Sequence, residues 1–213
     1  MLASSISKNS LLLGLFAIIS TAIIAGTFLS TTEQISENIR KAEEKALIEI
    51  IPKSRHNNSM IDNTQNVDDT KLLGLRESKK LYIAQQDNNT VAIIIPATAR
   101  DGYTGDIDMI IGINIDGSVA GVRVLSHRET PGLGDAIEKK KSDWVDGFTG
   151  KSLVNPILEN WTVKKDGGVF DQFTGATITP RAVSKTVARA LQYFEKNKDI
   201  ILKAATTEVT TND

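Results

Sequence analysis

The chain contains no cysteine. Disulfides, iron–sulfur clusters held by its own thiols and a lipid-modified N-terminal cysteine are therefore excluded. Histidine is almost as scarce, with only His56 and His127, which argues against a dedicated zinc or haem site. Any redox chemistry has to come from an organic cofactor. Neither sign of charge is in excess: 25 Lys and Arg against 26 Asp and Glu leave a net charge of −1. The one dense basic run, Lys139-Lys140-Lys141, lies among acidic and apolar residues and reads as a solvated face, so no nucleic-acid partner is expected. No internal repeat is evident.

Ionisable side chains are also missing between Lys8 and Glu33, where the stretch from Leu11 to Leu29 is nearly all Leu, Ile, Ala, Gly, Phe, Ser and Thr. At 1.5 Å per residue, about twenty such residues cover roughly 30 Å, the hydrocarbon thickness of a bilayer. The run is longer than the roughly 7–15 apolar residues of a cleavable signal peptide and continues past Ala22–Gly26 through Phe28-Leu29, so an uncleaved membrane anchor is expected. Lys8 and the α-amino group flank one end, while Glu33 and Glu37 precede Arg40 at the other. The positive-inside rule then puts the N-terminus in the cytoplasm and the remainder outside. Being uncharged, the single span offers no group for ion conduction.

Beyond the anchor, Ile35, Ile39, Ala42, Ala46, Leu47 and Ile50 recur at helical spacing as far as Pro52, predicting a helix that continues out of the membrane. Residues 53–69 are polar and read as a loop or linker. Strands are expected at Leu81–Ala84 and Val91–Ile95. A hairpin is expected from Ile107 to Leu125 around Asp116-Gly117. A short helix is expected over Asp135–Phe148 and a further strand over Trp161–Lys164. Strands and helices are segregated, which predicts an α+β domain with a mostly antiparallel sheet and flanking helices, preceded by one N-terminal transmembrane helix. The organisation expected is an anchor over 1–32, a membrane-proximal helix and polar linker over 33–70, and a globular domain over 71–213.

The richest segment is Asp171-Gln172-Phe173-Thr174-Gly175-Ala176-Thr177-Ile178-Thr179-Pro180. From Pro180 onward Val183, Val187, Leu191 and Phe194 mark an amphipathic helix, with Pro180 suited to its first position and Thr179 to its N-cap. Small hydroxylated residues ahead of a helix N-terminus can hold an anion, because unpaired backbone N–H groups and the positive end of the dipole converge there. By local pattern alone the same residues also describe an ordinary capped helix after a turn. A second segment, His127-Arg128-Glu129-Thr130-Pro131-Gly132-Leu133-Gly134, follows the hairpin and by itself reads as a Pro-Gly turn.

Together, in this order, the two segments resemble the FMN-binding domain family. The pattern Asp-x-x-Thr-Gly-Ala-Thr-x-Thr is similar to the family's flavinylation motif, and Glu-Thr-Pro-Gly-Leu-Gly to its second characteristic loop. The resemblance implies FMN esterified through its phosphate to Thr177 by a separate flavin transferase, with Asp171, Thr174, Gly175, Ala176 and Thr179 around the attachment point. It further implies that Glu129, Thr130 and Leu133 line the flavin pocket. His127, just ahead of that loop, reads either as a further polar contact there or as an ordinary surface or packed histidine. The resemblance gives Asp171 a recognition or positioning role and not an established one as catalytic base, since activation of the threonine hydroxyl is assigned to the transferase. By its residues alone Asp171 reads equally as a turn cap or as helix-approach electrostatics.

Among singly anchored members the chain is most similar to the G subunits of the ion-translocating Rnf/Rsx electron transport complexes. The C subunits of sodium-translocating NADH:quinone reductases share the motif. The implied protein is an electron-carrying phosphoprotein of the bacterial inner membrane with a periplasmic domain. Its implied partners are the lipid bilayer and the other membrane and redox subunits of such a complex. Two further readings stay open from the residues: a membrane-tethered sensor that binds a phosphorylated ligand reversibly, and a stand-alone extracytoplasmic reductase.

Overall fold

The computed structural model describes residues 2–207. Residue 1 and residues 208–213, the outer limits of the expected segments, lie outside the described residues. The first helix, α1, runs Leu2–Ile50. The chain divides into two compact units, one ending at Glu43 and the other beginning at Glu44.

In the first unit the apolar side chains of α1 are bare. Leu11, Phe16, Ile24 and Leu29 are each more than 60 % exposed, and this is the one helix among the described residues long and apolar enough to cross a membrane. Hydroxyls along it bond back to the helix: Thr27 Oγ1 donates to the Ile23 carbonyl at 2.8 Å and Thr31 Oγ1 to that of Thr27 at 2.8 Å. Polar groups in an apolar stretch are thus satisfied without solvent.

The second unit is built on a five-stranded antiparallel meander in the order β1-β2-β3-β4-β5, formed by Thr64–Val67, Lys79–Gln86, Asn89–Ala99, Ile107–Asn114 and Val119–Ser126. This is the expected antiparallel α+β architecture. Strict alternation assigns each strand two faces. Leu81 and Ile83 of β2, Ile93 and Ile95 of β3, and Met109, Ile111 and Ile113 of β4 join one core together with Val183, Val187, Leu191 and Phe194 of α2, which spans Ile178–Thr207. Tyr82, Ala84, Ala92, Ile94 and Ile110 face the other way, against Leu47 and Ile50 of the last turn of α1 and against Ile51 and Met60. Gly112 and Gly121, paired across β4 and β5, leave room for Ile50: a Cβ on Gly112 would stand 2.2 Å from Ile50 Cγ2.

Three local expectations are corrected. The polar stretch 53–69 is not all loop, because Thr64–Val67 pairs with β2 as an edge strand. Its short, polar sequence hides the strand, which an edge position permits. Asp135–Phe148 forms two 3-10 turns, Gly134–Ile137 and Trp144–Phe148, in place of one helix. Ile137, Val145 and Phe148 are each fully buried, so the segment is held by separate anchors and not by a continuous apolar stripe. Trp161–Lys164 is no ladder strand. It makes one isolated bridge, Val163 with Phe170, and ends in a 3-10 turn over Lys164–Asp166. The burial of Trp161 and Val163 is what gives it the look of a strand in sequence.

Candidate functional site

The two motif segments meet at the start of α2. Glu129, Thr130 and Leu133 from the loop after β5, and Gly175, Ala176, Thr177 and Thr179 from the second segment, border one cavity of about 340 Å³. Tyr103, Gly134 and Ile178 complete its wall.

The loop over Phe173–Ala176 is a tight turn, closed by the Ala176 N–H donating to the Phe173 carbonyl at 3.1 Å. Gly175 sits inside it at φ +78°, where a side chain would be strained. Trp144 anchors the loop from below. Its indole N–H donates to the Asp171 carbonyl at 2.8 Å, and its ring meets Phe173 edge-on at 5.1 Å. Phe148, Phe170 and Trp161 extend this aromatic cluster into the core.

α2 begins slightly earlier than the sequence suggests. Its first residue is Ile178, so Thr177 and not Thr179 flanks the helix, and the Thr177 carbonyl accepts the Arg181 N–H at 3.4 Å. Pro180 therefore lies third in the helix. That costs nothing, because first-turn N–H groups have no intrahelical partner to lose. Thr179 is only 1 % exposed and its hydroxyl is bonded to Glu129 Oε2. The other carboxylate oxygen of Glu129 accepts the Thr104 N–H at 3.0 Å. Glu129, 4 % exposed, is thus held by two donors and ties the two motif segments together. Gly134 makes the approach possible: a Cβ there would lie 2.9 Å from Thr179 Oγ1 and 3.0 Å from Glu129 Oε2.

Three of the expected site residues stand outside the cavity wall. Asp171 points its carboxylate at Lys164 Nζ, 2.6 Å away, in an exposed ion pair. Thr174 is exposed within the turn. His127 is bonded elsewhere, with Nδ1 receiving the Glu129 N–H at 3.0 Å and Nε2 3.0 Å from Glu138 Oε1. Conversely, sequence reasoning passes over Tyr103 and Ile178. Both are large, apolar and exposed, at 67 % and 41 %, and the signal for Ile178 is an apolar residue off the buried stripe of its helix.

The cavity fits FMN by its chemistry. Its wall offers the Thr177 hydroxyl and the N-terminus of a 30-residue helix, suited to a phosphate. The same wall offers exposed Tyr103, Leu133 and Ile178, suited to a planar ring. The volume falls in the roughly 300–1,000 Å³ range of cofactor pockets.

Comparison with known proteins points to the same cofactor. Residues 102–192 match the FMN-binding domain, and residues 1–50 match the RnfG N-terminal region. The chain is 46 % identical over 198 residues to the G subunit of the ion-translocating oxidoreductase complex of Pseudomonas aeruginosa, covering 93 % of this chain and 92 % of the relative. It is 46 % identical to the protein of the same name from Shewanella loihica, covering 93 % of each. A third such protein, from Vibrio cholerae, is 45 % identical over 195 residues, covering 92 % of this chain and 93 % of the relative. With near full-length identity to these relatives and a matching cofactor domain, the chain belongs to the family of G subunits of ion-translocating oxidoreductase complexes and carries that family's FMN-binding domain.

Proposed function

We propose that this protein is the electron-carrying subunit of a membrane-bound, ion-translocating oxidoreductase complex of the Rnf/Rsx type, with FMN joined to Thr177 by a phosphoester. The observation that carries the reading is the position of Thr177: half-buried, at the mouth of α2, on the wall of a cavity that Glu129, Thr130 and Leu133 also line. The Thr177 hydroxyl accepts the FMN phosphoryl group from FAD, with AMP leaving, and a flavin transferase supplies the base that takes its proton. The α2 N-terminus and Gly175 receive the phosphate. Glu129, Thr130 and Leu133 set the polarity and burial of the ring, and Asp171 and Thr174 shape the loop that the transferase reads. When bound, FMN supplies one- and two-electron chemistry, tuned by the hydrogen bonds around it.

The apolar part of α1 anchors the domain in the bacterial inner membrane, N-terminus in the cytoplasm and domain in the periplasm, beside the other redox and membrane subunits. Coupling to ion movement belongs to those subunits, since the span over Leu11–Leu29 has no charged residue.

Thr177→Ala, made together with a flavin transferase, should give folded protein with no flavin fluorescence on a denaturing gel. Mass spectrometry finding the same FMN adduct on that variant would rule out the assignment. Wild-type protein that binds flavin but loses it on denaturation would favour the reversible-ligand reading. A C-terminal fusion to a reporter active only in the cytoplasm should be silent, and a strong signal would reverse the topology.

A further inference from the structure

His127 is one of two histidines in the chain, and its ring is held at both nitrogens. A backbone N–H can only donate. The Glu129 N–H lies 3.0 Å from Nδ1, so Nδ1 carries no proton and the ring is the neutral Nε2–H tautomer. Nε2 then donates to Glu138 Oε1 at 3.0 Å, on the residue that follows the Gly134–Ile137 turn. The side chain is 11 % exposed, so water has little access to replace either bond.

Glu129 is consequently fixed from two directions. Its backbone N–H is held by His127, while its carboxylate is held by the Thr104 N–H and the Thr179 hydroxyl. The latter contact reaches the first turn of α2, two residues beyond Thr177. His127 itself does not border the cavity.

We infer that His127 is a positioning residue for the flavin pocket, acting through the unprotonated Nδ1 that fixes the Glu129 backbone, and hence its carboxylate, against the start of α2. The inference rests on the FMN reading above. It differs from a contact role, since the ring acts through Glu129, and from simple packing, since only one of the two nitrogens carries the effect.

The two nitrogens can be separated by substitution in the full-length, flavin-loaded protein. The Oδ1 of asparagine takes the place of Nδ1 and keeps an acceptor for the Glu129 N–H, whereas glutamine reaches the place of Nε2 and keeps only the Glu138 bond. Both His127→Asn and His127→Gln should fold and show flavin fluorescence on a denaturing gel. His127→Asn should retain the wild-type flavin absorbance spectrum and reduction potential, and His127→Gln should shift both. Equal shifts in the two variants would reduce the role to packing, and wild-type behaviour of His127→Gln would remove it. Should His127→Gln fail to fold, Glu138→Gln decides jointly with His127→Asn: both keep the Nδ1-type acceptor and should keep the wild-type potential, and a shift in either overturns the inference. Absence of flavin from the wild-type protein would instead count against the FMN reading, leaving the two failures distinct.

Discussion

One face of the sheet stacks Ile83, Ile93, Ile95, Ile111 and Ile113 beneath α2, whereas the opposite face presents Tyr82, Ala84, Ala92, Ile94 and Ile110 to Leu47, Ile50, Ile51 and Met60. The α2 face is deep and continues into the aromatic cluster of Trp144, Phe148, Trp161, Phe170 and Phe173, on which the Thr177 loop rests. The other face is shallow, relying on alanines and on the paired Gly112 and Gly121 to bring the end of α1 close. Both bury apolar surface, but only the first continues beneath the loops that line the cavity. Damage to the α2 face should therefore disturb stability and flavin together, while damage to the other should disturb stability alone.

The largest break is expected from Phe148→Ala. Phe148 is fully buried and touches Trp144, Trp161 and Phe170. Its loss should cost about 3–5 kcal/mol in urea unfolding, and the flavin spectrum of the surviving folded protein should change as Trp144 loosens its hold on Asp171. An unchanged spectrum would detach the loop from the aromatic cluster. Leu47→Ala, also fully buried but on the shallow face, should cost about 2–5 kcal/mol and leave spectrum and potential alone. A changed potential there would dissolve the distinction between the faces.

Gly112→Ala sharpens the contrast at a single contact. The new Cβ would meet the branched Ile50 at 2.2 Å, so destabilisation of about 1–3 kcal/mol from overpacking is expected, and Ile50→Ala in the same chain should recover part of it. No recovery would place the strain elsewhere.

The smallest effect concerns the rim of the sheet. Burial pushes the Asp108 carboxyl up, but the Thr98 hydroxyl at 2.6 Å, Lys79 at 3.1 Å and the nearby Arg100 charge outweigh it and hold the group below its ordinary value. A depressed folded-state value means that the stabilisation is complete above the unfolded value of about 3.9 and is lost as pH falls through the folded one. Unfolding midpoints should accordingly decline on acidification below about pH 4, by less in Asp108→Asn than in wild type. Equal slopes would show that Asp108 contributes nothing.

Much of this architecture is legible in the sequence where the signal is local. The uncharged run from Leu11 to Leu29 reads as an anchor, and the alternation around Asp116-Gly117 reads as a hairpin. The Gly175-Ala176-Thr177 motif is equally plain. The strand over Thr64–Val67 is not legible, because an edge strand needs few apolar residues. The two 3-10 turns between Gly134 and Phe148 escape because their anchors enter the core singly. Thr179 misleads for a different reason. A threonine one residue before a proline satisfies every local rule for an N-cap, yet its hydroxyl is taken by Glu129, fifty residues away in the chain.

By itself the sequence determines the length of the apolar helix, the hairpin around Asp116-Gly117 and the hydroxylated loop ahead of α2, since each depends on residues within a turn or two of one another. Only the tertiary structure decides that Glu129 joins the two motif loops, that Thr177 rather than Thr179 stands at the mouth of α2, and that His127 is held by Glu129 and Glu138 and not on the cavity wall. Those outcomes depend on which donors and acceptors remain unpaired after the sheet and α2 have packed, and buried polar groups then take whatever partner the fold brings within reach.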